Sequence, residues 1–97
     1  MLPLNVINTL KEIEYSVKTN DVEHIKAIPI NIEQNSLFLV ICLNKNPEIR
    51  IITLKDKKGE PLNAILQVFD SKMEYIGFTV DDITEELMLR FSTYFAK

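Results

Sequence analysis

Ninety-seven residues, 46% hydrophobic and 26% charged, make the composition of one ordinary globular domain spanning residues 1–97. Two glycines, one histidine and one cysteine exclude glycine-rich phosphate loops, a single-chain Cys/His zinc site and an internal disulfide. A net charge of −3 and a pI of about 5.1 argue against a nucleic-acid-binding domain of the strongly basic kind.

Residues 3–18 predict an amphipathic helix. Val6, Ile7, Leu10, Ile13 and Val17 share one face, Pro3 suits the first turn, and Thr19-Asn20-Asp21 supplies an end. Leu4 and Tyr15 fall off that stripe. The N-terminus has neither a basic region nor a sustained apolar run, so no signal peptide is expected, and a cytoplasmic protein is the default.

From residue 24 the period changes to two. Ile28, Ile30 and Ile32 alternate with Ala27, Pro29 and Asn31, which predicts a strand over residues 24–32, at a sheet edge or bulged because Pro29 cannot donate to a ladder. A polar turn at residues 33–36 leads into an apolar strand, 37–43, and a turn at 44–47 into a third strand, 48–55. The third strand changes phase between Ile49/Ile51 and Ile52/Leu54, which predicts a bulge near its middle. Residues 56–61 read as a hairpin loop. The next segment has helical spacing at Leu62, Ile65, Leu66 and Phe69, but also alternates at Leu62, Ala64, Leu66 and Val68. Alternation favours a strand, turning near 69–73 into a fifth strand over 73–80.

The last element is a helix capped by Asp81 or Asp82, with Glu85 completing a capping-box-like pair with Asp82. Ile83, Leu87, Met88, Phe91, Tyr94 and Phe95 form its apolar stripe, and Leu89 sits on the opposite, polar side. The expected fold is α+β: a five-stranded antiparallel meander, or a small barrel, bracketed by N-terminal and C-terminal amphipathic helices.

The strand at residues 37–43 is apolar on both faces, with Leu37, Leu39, Ile41 and Leu43 on one and Phe38, Val40 and Cys42 on the other. A strand of this kind is normally covered twice. Either the helices pack on both sides of the sheet or it closes on itself, or both helices cover one face and a partner covers the other. In the last case Phe38, Val40, Ile65 and Phe69, together with Leu89, are the candidate partner interface, for a second copy or another protein.

Chemistry finds little support. Cys42 and His24 are the only thiol and imidazole, and Cys42 is expected to be a buried, inert thiol in an apolar strand where a thiolate has nothing to stabilise it. Ser16, Ser36, Ser71 and Ser92 lack the glycine-flanked elbow of a serine nucleophile. Asp81, Asp82, Glu85 and Glu86 crowd a helix start, where capping and the dipole account for them without a metal. No catalytic, cofactor or metal site is expected. Lys55, Lys57 and Lys58, beside a sheet aromatic (Phe38, Phe69, Tyr75 or Phe78), are the candidate nucleic-acid contact. The leading expectation is a small non-catalytic protein-binding module: an adaptor, inhibitor or chaperone-like protein, with a homodimer as the favoured state. Nine lysines to two arginines suggest AT-rich coding, as in a low-GC microbe or virus.

Overall fold

The computed structural model describes residues 3–69, 72, 75–77 and 80–96. Three helices, α1 (Leu4–Lys18), α2 (Val22–Ala27) and α3 (Asp82–Thr93), accompany an antiparallel sheet. Four strands carry that sheet: β1 (Asn31–Gln34), β2 (Phe38–Lys45), β3 (Glu48–Lys55) and β4 (Pro61–Phe69), side by side in chain order. A three-residue stretch, β5 (Tyr75–Gly77), pairs with Gln67, Val68 and Phe69 along the far side of β4. The class is therefore α+β, with an open antiparallel sheet and helices at both ends. Among the described residues β1 pairs with β2 alone, so the small-barrel alternative does not form. Of the strand expected over 73–80, residues 73, 74, 78 and 79 lie outside the described residues.

The strand expected over residues 24–32 is corrected. Its first half is the helix α2, and only its end enters β1, which does lie at the sheet edge. Asn20 makes the reversal after α1 at φ 54°, a left-handed conformation that asparagine tolerates better than most residues. Asp21 then caps α2, its carboxylate accepting from the His24 amide at 3.2 Å. Only Ile25 of α2 is buried. A helix of six residues has too few apolar positions to show a 3.6-residue period, so the alternation of Ile28, Ile30 and Ile32 dominated the pattern.

The hairpins are set by local polar chemistry. Asn35 Oδ1 accepts from the amides of Leu37 and Phe38, turning the chain from β1 into β2. Between β2 and β3 the turn is tight at Asn46-Pro47, and Asn44 Nδ2 donates to the Pro47 carbonyl at 2.8 Å. Between β3 and β4, Asp56 Oδ1 accepts from the amides of Lys58 and Glu60, and Gly59 takes φ 83°. A side chain at Gly59 would meet the steric cost of that left-handed region. Residues 61–69 are a strand, as alternation favours over helical spacing.

The bulge expected in the middle of β3 is elsewhere. β3 alternates without a break, Ile49, Ile51, Thr53 and Lys55 pointing one way. The irregularities lie between Cys42 and Asn44 in β2 and between Leu54 and Lys55 at the end of β3. Thr53 and Lys55 point inward although polar, which is what disguised the regular period.

All three helices pack on one face of the sheet. Leu39, Ile41, Leu43, Ile49, Ile51, Leu66 and Val68 form a single buried cluster with Val6, Leu10, Ile13 and Val17 of α1, Ile25 of α2, and Met88, Phe91 and Phe95 of the C-terminal segment. Phe91 and Phe95 meet edge to face with centroids 5.1 Å apart. Inside this core Ser92 Oγ donates to the Met88 carbonyl at 2.8 Å, so the Thr53 hydroxyl must donate to Ser92 Oγ, also at 2.8 Å.

Of the two caps expected for α3, Asp81 is the one used, accepting from the Thr84 amide at 2.7 Å. Two other features of α3 differ from expectation. Glu85 does not close a box with Asp82; its Oε2 approaches the Ala64 amide of β4 at 3.5 Å. Ile83, counted in the apolar stripe, is 77% exposed. It borders a shallow groove between α3 and the polar flank of α1, lined by Glu14, Lys18 and Arg90, and never reaches the sheet.

Candidate functional site

With the helices gathered on one side, the opposite face of the sheet is left without a covering element among the described residues. The register brings its side chains into rows across the strands. Phe38, Leu54 and Asn63 make one row, Glu33, Val40, Ile52 and Ile65 the next, and Asn31, Cys42, Arg50 and Gln67 the third. Glu48 and Phe69 follow at the far end. The first two rows are mostly apolar. Ile65 is 50% exposed and Phe38 40%, while Val40, Ile52 and Leu54 are half-buried. Apolar area left in water forgoes roughly 25 cal/mol per Å2, so a contiguous patch of this kind carries a free-energy cost while it stays in water.

The third row is polar and partly self-contained. The Arg50 guanidinium stacks 4.6 Å above the Phe69 ring, a cation–π contact across the β3–β4 pair. Arg50 Nε and Gln67 Oε1, on directly facing residues, are sealed from water without a hydrogen-bond partner among the described residues. Among the described residues, four charged side chains belong to this face or its end: Glu33, Glu48, Lys45 and Arg50. Over those residues the face is close to neutral.

Of the five residues expected at a partner interface, the structure brings Phe38, Val40, Ile65 and Phe69 onto this one face. It places Leu89 on the other side of the sheet, on α3, half-buried against the helix-side core. Leu89 is therefore removed from the candidate surface: α3 presents to the sheet a wider arc than its main stripe. Ile52 and Leu54 were missed, because Ile51 and Ile52 are adjacent apolar residues and the inward polar Thr53 and Lys55 hid which of them faced out.

Cys42 also lies on this face, half-buried between the inward Ile41 and Leu43 and not enclosed in the core as expected. Its Sγ is 3.6 Å from the Asn44 carbonyl. Burial first, and the Glu48 carboxylate second, push its pKa upward, so the thiol stays protonated. His24 stands on α2 on the opposite side of the sheet, 3.2 Å from the Glu12 carboxylate. The two groups are not a nucleophile and base.

The other chemical candidates resolve into structural roles. Ser16 and Ser92 donate to helical carbonyls within α1 and α3. Ser71 lies outside the described residues. Among the described residues there is no group of three or more His, Cys, Asp or Glu placed to hold a metal ion. Among them, too, no helix is long and apolar enough to cross a membrane. The grooves are open and shallow; one of about 440 Å3 runs beside Ile32, Tyr94 and Phe95 with Lys26 at its rim.

The lysine loop is dismantled as a basic site. Lys55 is only 8% exposed and points to the helix side. Its ammonium donates to Gln34 Oε1 at 2.8 Å and to the Asn35 carbonyl at 2.7 Å, fastening the β1–β2 turn to the sheet. Lys57 and Lys58 remain in the exposed turn, but Asp56 and Glu60 flank them and cancel their charge. Phe38 stands at the same end of the sheet, yet without a basic patch beside it. The side chains of Tyr75 and Phe78 lie outside the described part of the structure.

Compared with protein-family models, curated proteins and solved structures, the chain gives no match.

Proposed function

We propose that this chain is a small, non-catalytic protein-binding module that acts in the cytoplasm through the open face of its sheet, as an adaptor, inhibitor or chaperone-like protein. The observation that carries the reading is the one-sided packing. All three helices share a face, and the Phe38, Val40, Ile52, Leu54 and Ile65 side chains are left on the other. Neutrality of that face favours a protein surface over a polyanion, which needs a phosphate-neutralising patch. Half-buried apolar rows rimmed by polar groups match the anatomy of a protein interface.

The test is recovery of complexes formed by the tagged chain in its native host, with the Ile65→Lys variant as control. A lysine in the middle of the patch leaves the fold intact, since Ile65 is half exposed, but puts an unpaired charge in any contact made there. Loss of a stoichiometric partner in the variant supports the reading. Complexes of equal yield from both chains would assign binding to another surface.

A further inference from the structure

We infer that the protein docking on the open face brings a carboxylate to it, an Asp or Glu side chain flanked by apolar residues, and that Arg50 and Gln67 receive that group. This rests on the reading of the face as a docking surface and names the chemistry of its occupant.

Arg50 is a half-buried cation with no anion of its own. Among the described residues the ion pairs are Lys18 with Glu14 and His24 with Glu12, all on the helices, and no hydrogen bond reaches the guanidinium. Glu48 lies two residues along β3 on the same face, but it stands opposite Lys45 in the β2–β3 register. The guanidinium lies instead 4.6 Å from the centre of the Phe69 ring. Stacking holds its plane before any partner arrives, so little further ordering is needed to bind one.

The two facing side chains show only donors to the outside. Arg50 Nε and Gln67 Oε1 are sealed from water. The remaining polar atoms, Arg50 Nη1 and Nη2 and Gln67 Nε2, reach the surface and bond to no described residue. A guanidinium fork with a carboxamide N–H2 beside it is complementary to a group that only accepts and is negatively charged. An ionised carboxylate is such a group, and it takes paired N–H bonds from a guanidinium. The next row, Val40, Ile52 and Ile65, is apolar and excludes water once covered, which strengthens those bonds and calls for apolar side chains beside the acid. A polyanion is not matched. Lys45 is offset by Glu48, and Lys55 is bound on the helix side, which leaves one unopposed cation where a phosphate backbone needs several.

The experiment selects phage-displayed random peptides on the immobilised full chain. Affinities of the enriched peptides, made synthetically, are then read by fluorescence anisotropy for the native chain, Arg50→Gln and Ile65→Ser. Enriched peptides are expected to carry Asp or Glu next to apolar residues. Arg50→Gln is expected to weaken them about ten- to hundredfold. Replacing the peptide's acid by its carboxamide should do the same on the native chain, a change that leaves the protein untouched. The two changes together should cost little more than either alone, because both remove one contact. Ile65→Ser removes apolar contact without adding charge and should weaken the same peptides. Circular dichroism confirms that both variants fold.

Peptides that lack an acid, or that lose nothing by either change yet weaken with Ile65→Ser, would overturn the carboxylate and leave the docking face standing. Peptides indifferent to Arg50→Gln and Ile65→Ser alike bind elsewhere and would overturn both. A library that enriches nothing would overturn the acidic partner, and the complexes compared with Ile65→Lys then decide the face by themselves. A native chain sedimenting at twice its 11.2 kDa mass, and dissociated by Ile65→Ser, would put a second copy on the face in place of the acidic partner.

Discussion

Phe91 and Ile83 lie on the apolar stripe of one helix, yet the structure assigns them opposite energetic roles. Phe91 is fully buried under the sheet and holds Phe95 edge to face. Truncation to alanine strips on the order of 100–150 Å2 of buried apolar surface, about 2.5–4 kcal/mol at 25 cal/mol per Å2. Loss of the aromatic contact adds about 0.5–1 kcal/mol, and partial collapse of the site keeps the total at about 3–5 kcal/mol. In a domain of this size each 1 kcal/mol moves Tm by about 4–8 °C, so Phe91→Ala should lower it by roughly 12–40 °C. Ile83→Ala removes a side chain that is 77% exposed and should cost less than about 0.5 kcal/mol. Urea denaturation followed by circular dichroism measures both, with the slope of the transition checked for constancy. Equal costs for the two variants, or a Phe91→Ala cost below about 1.5 kcal/mol, would refute the placement of α3 on the sheet.

The buried Thr53–Ser92 hydrogen bond should show non-additivity: Ser92→Ala orphans the Thr53 hydroxyl and costs about 1–3 kcal/mol, while the Thr53→Val/Ser92→Ala double variant recovers much of that. A double-mutant cycle in urea reads the coupling. Asp81 has its pKa held below the ordinary carboxylate value, chiefly by the Thr84 hydroxyl and then by the Thr84 amide. A depressed folded-state pKa contributes stability above the unfolded value and loses it as pH falls through the folded one. Asp81→Asn should therefore flatten the acid limb of a stability–pH profile, and an unchanged limb would deny the cap that role. Lys57→Ala/Lys58→Ala should leave stability within about 0.5 kcal/mol of the parent, whereas Lys55→Ala should destabilise clearly because it removes a buried side chain and the two charge-assisted hydrogen bonds that fasten the β1–β2 turn. Thermal melts of the two variants compare them directly.

Much of this architecture was written in local chemistry. The stripe of Val6, Leu10, Ile13 and Val17 marks α1, the cap at Asp81 starts α3, and Asp56 with Gly59 turns β3 into β4. Each depends on neighbours within about one helical turn or one hairpin, where spacing and side-chain hydrogen bonding act directly on the backbone. Four of the five residues expected at the open face were legible too, since β2 and β4 display their two faces by alternation. What the sequence could not supply was which face the helices take. That choice is a matter of long-range packing, in which Leu39, Ile41 and Leu66 accept α1 and α3 and leave Phe38, Val40 and Ile65 bare. The same packing turned Lys55 from a surface charge into a buried tether, because its partners, Gln34 and Asn35, lie about twenty residues away in the chain. It also gave Ile52 and Ile51 opposite fates. Hydrophobicity says only that a side chain gains by leaving water; the tertiary arrangement decides against what, and on β3 that decision left one isoleucine in the core and its neighbour on the surface.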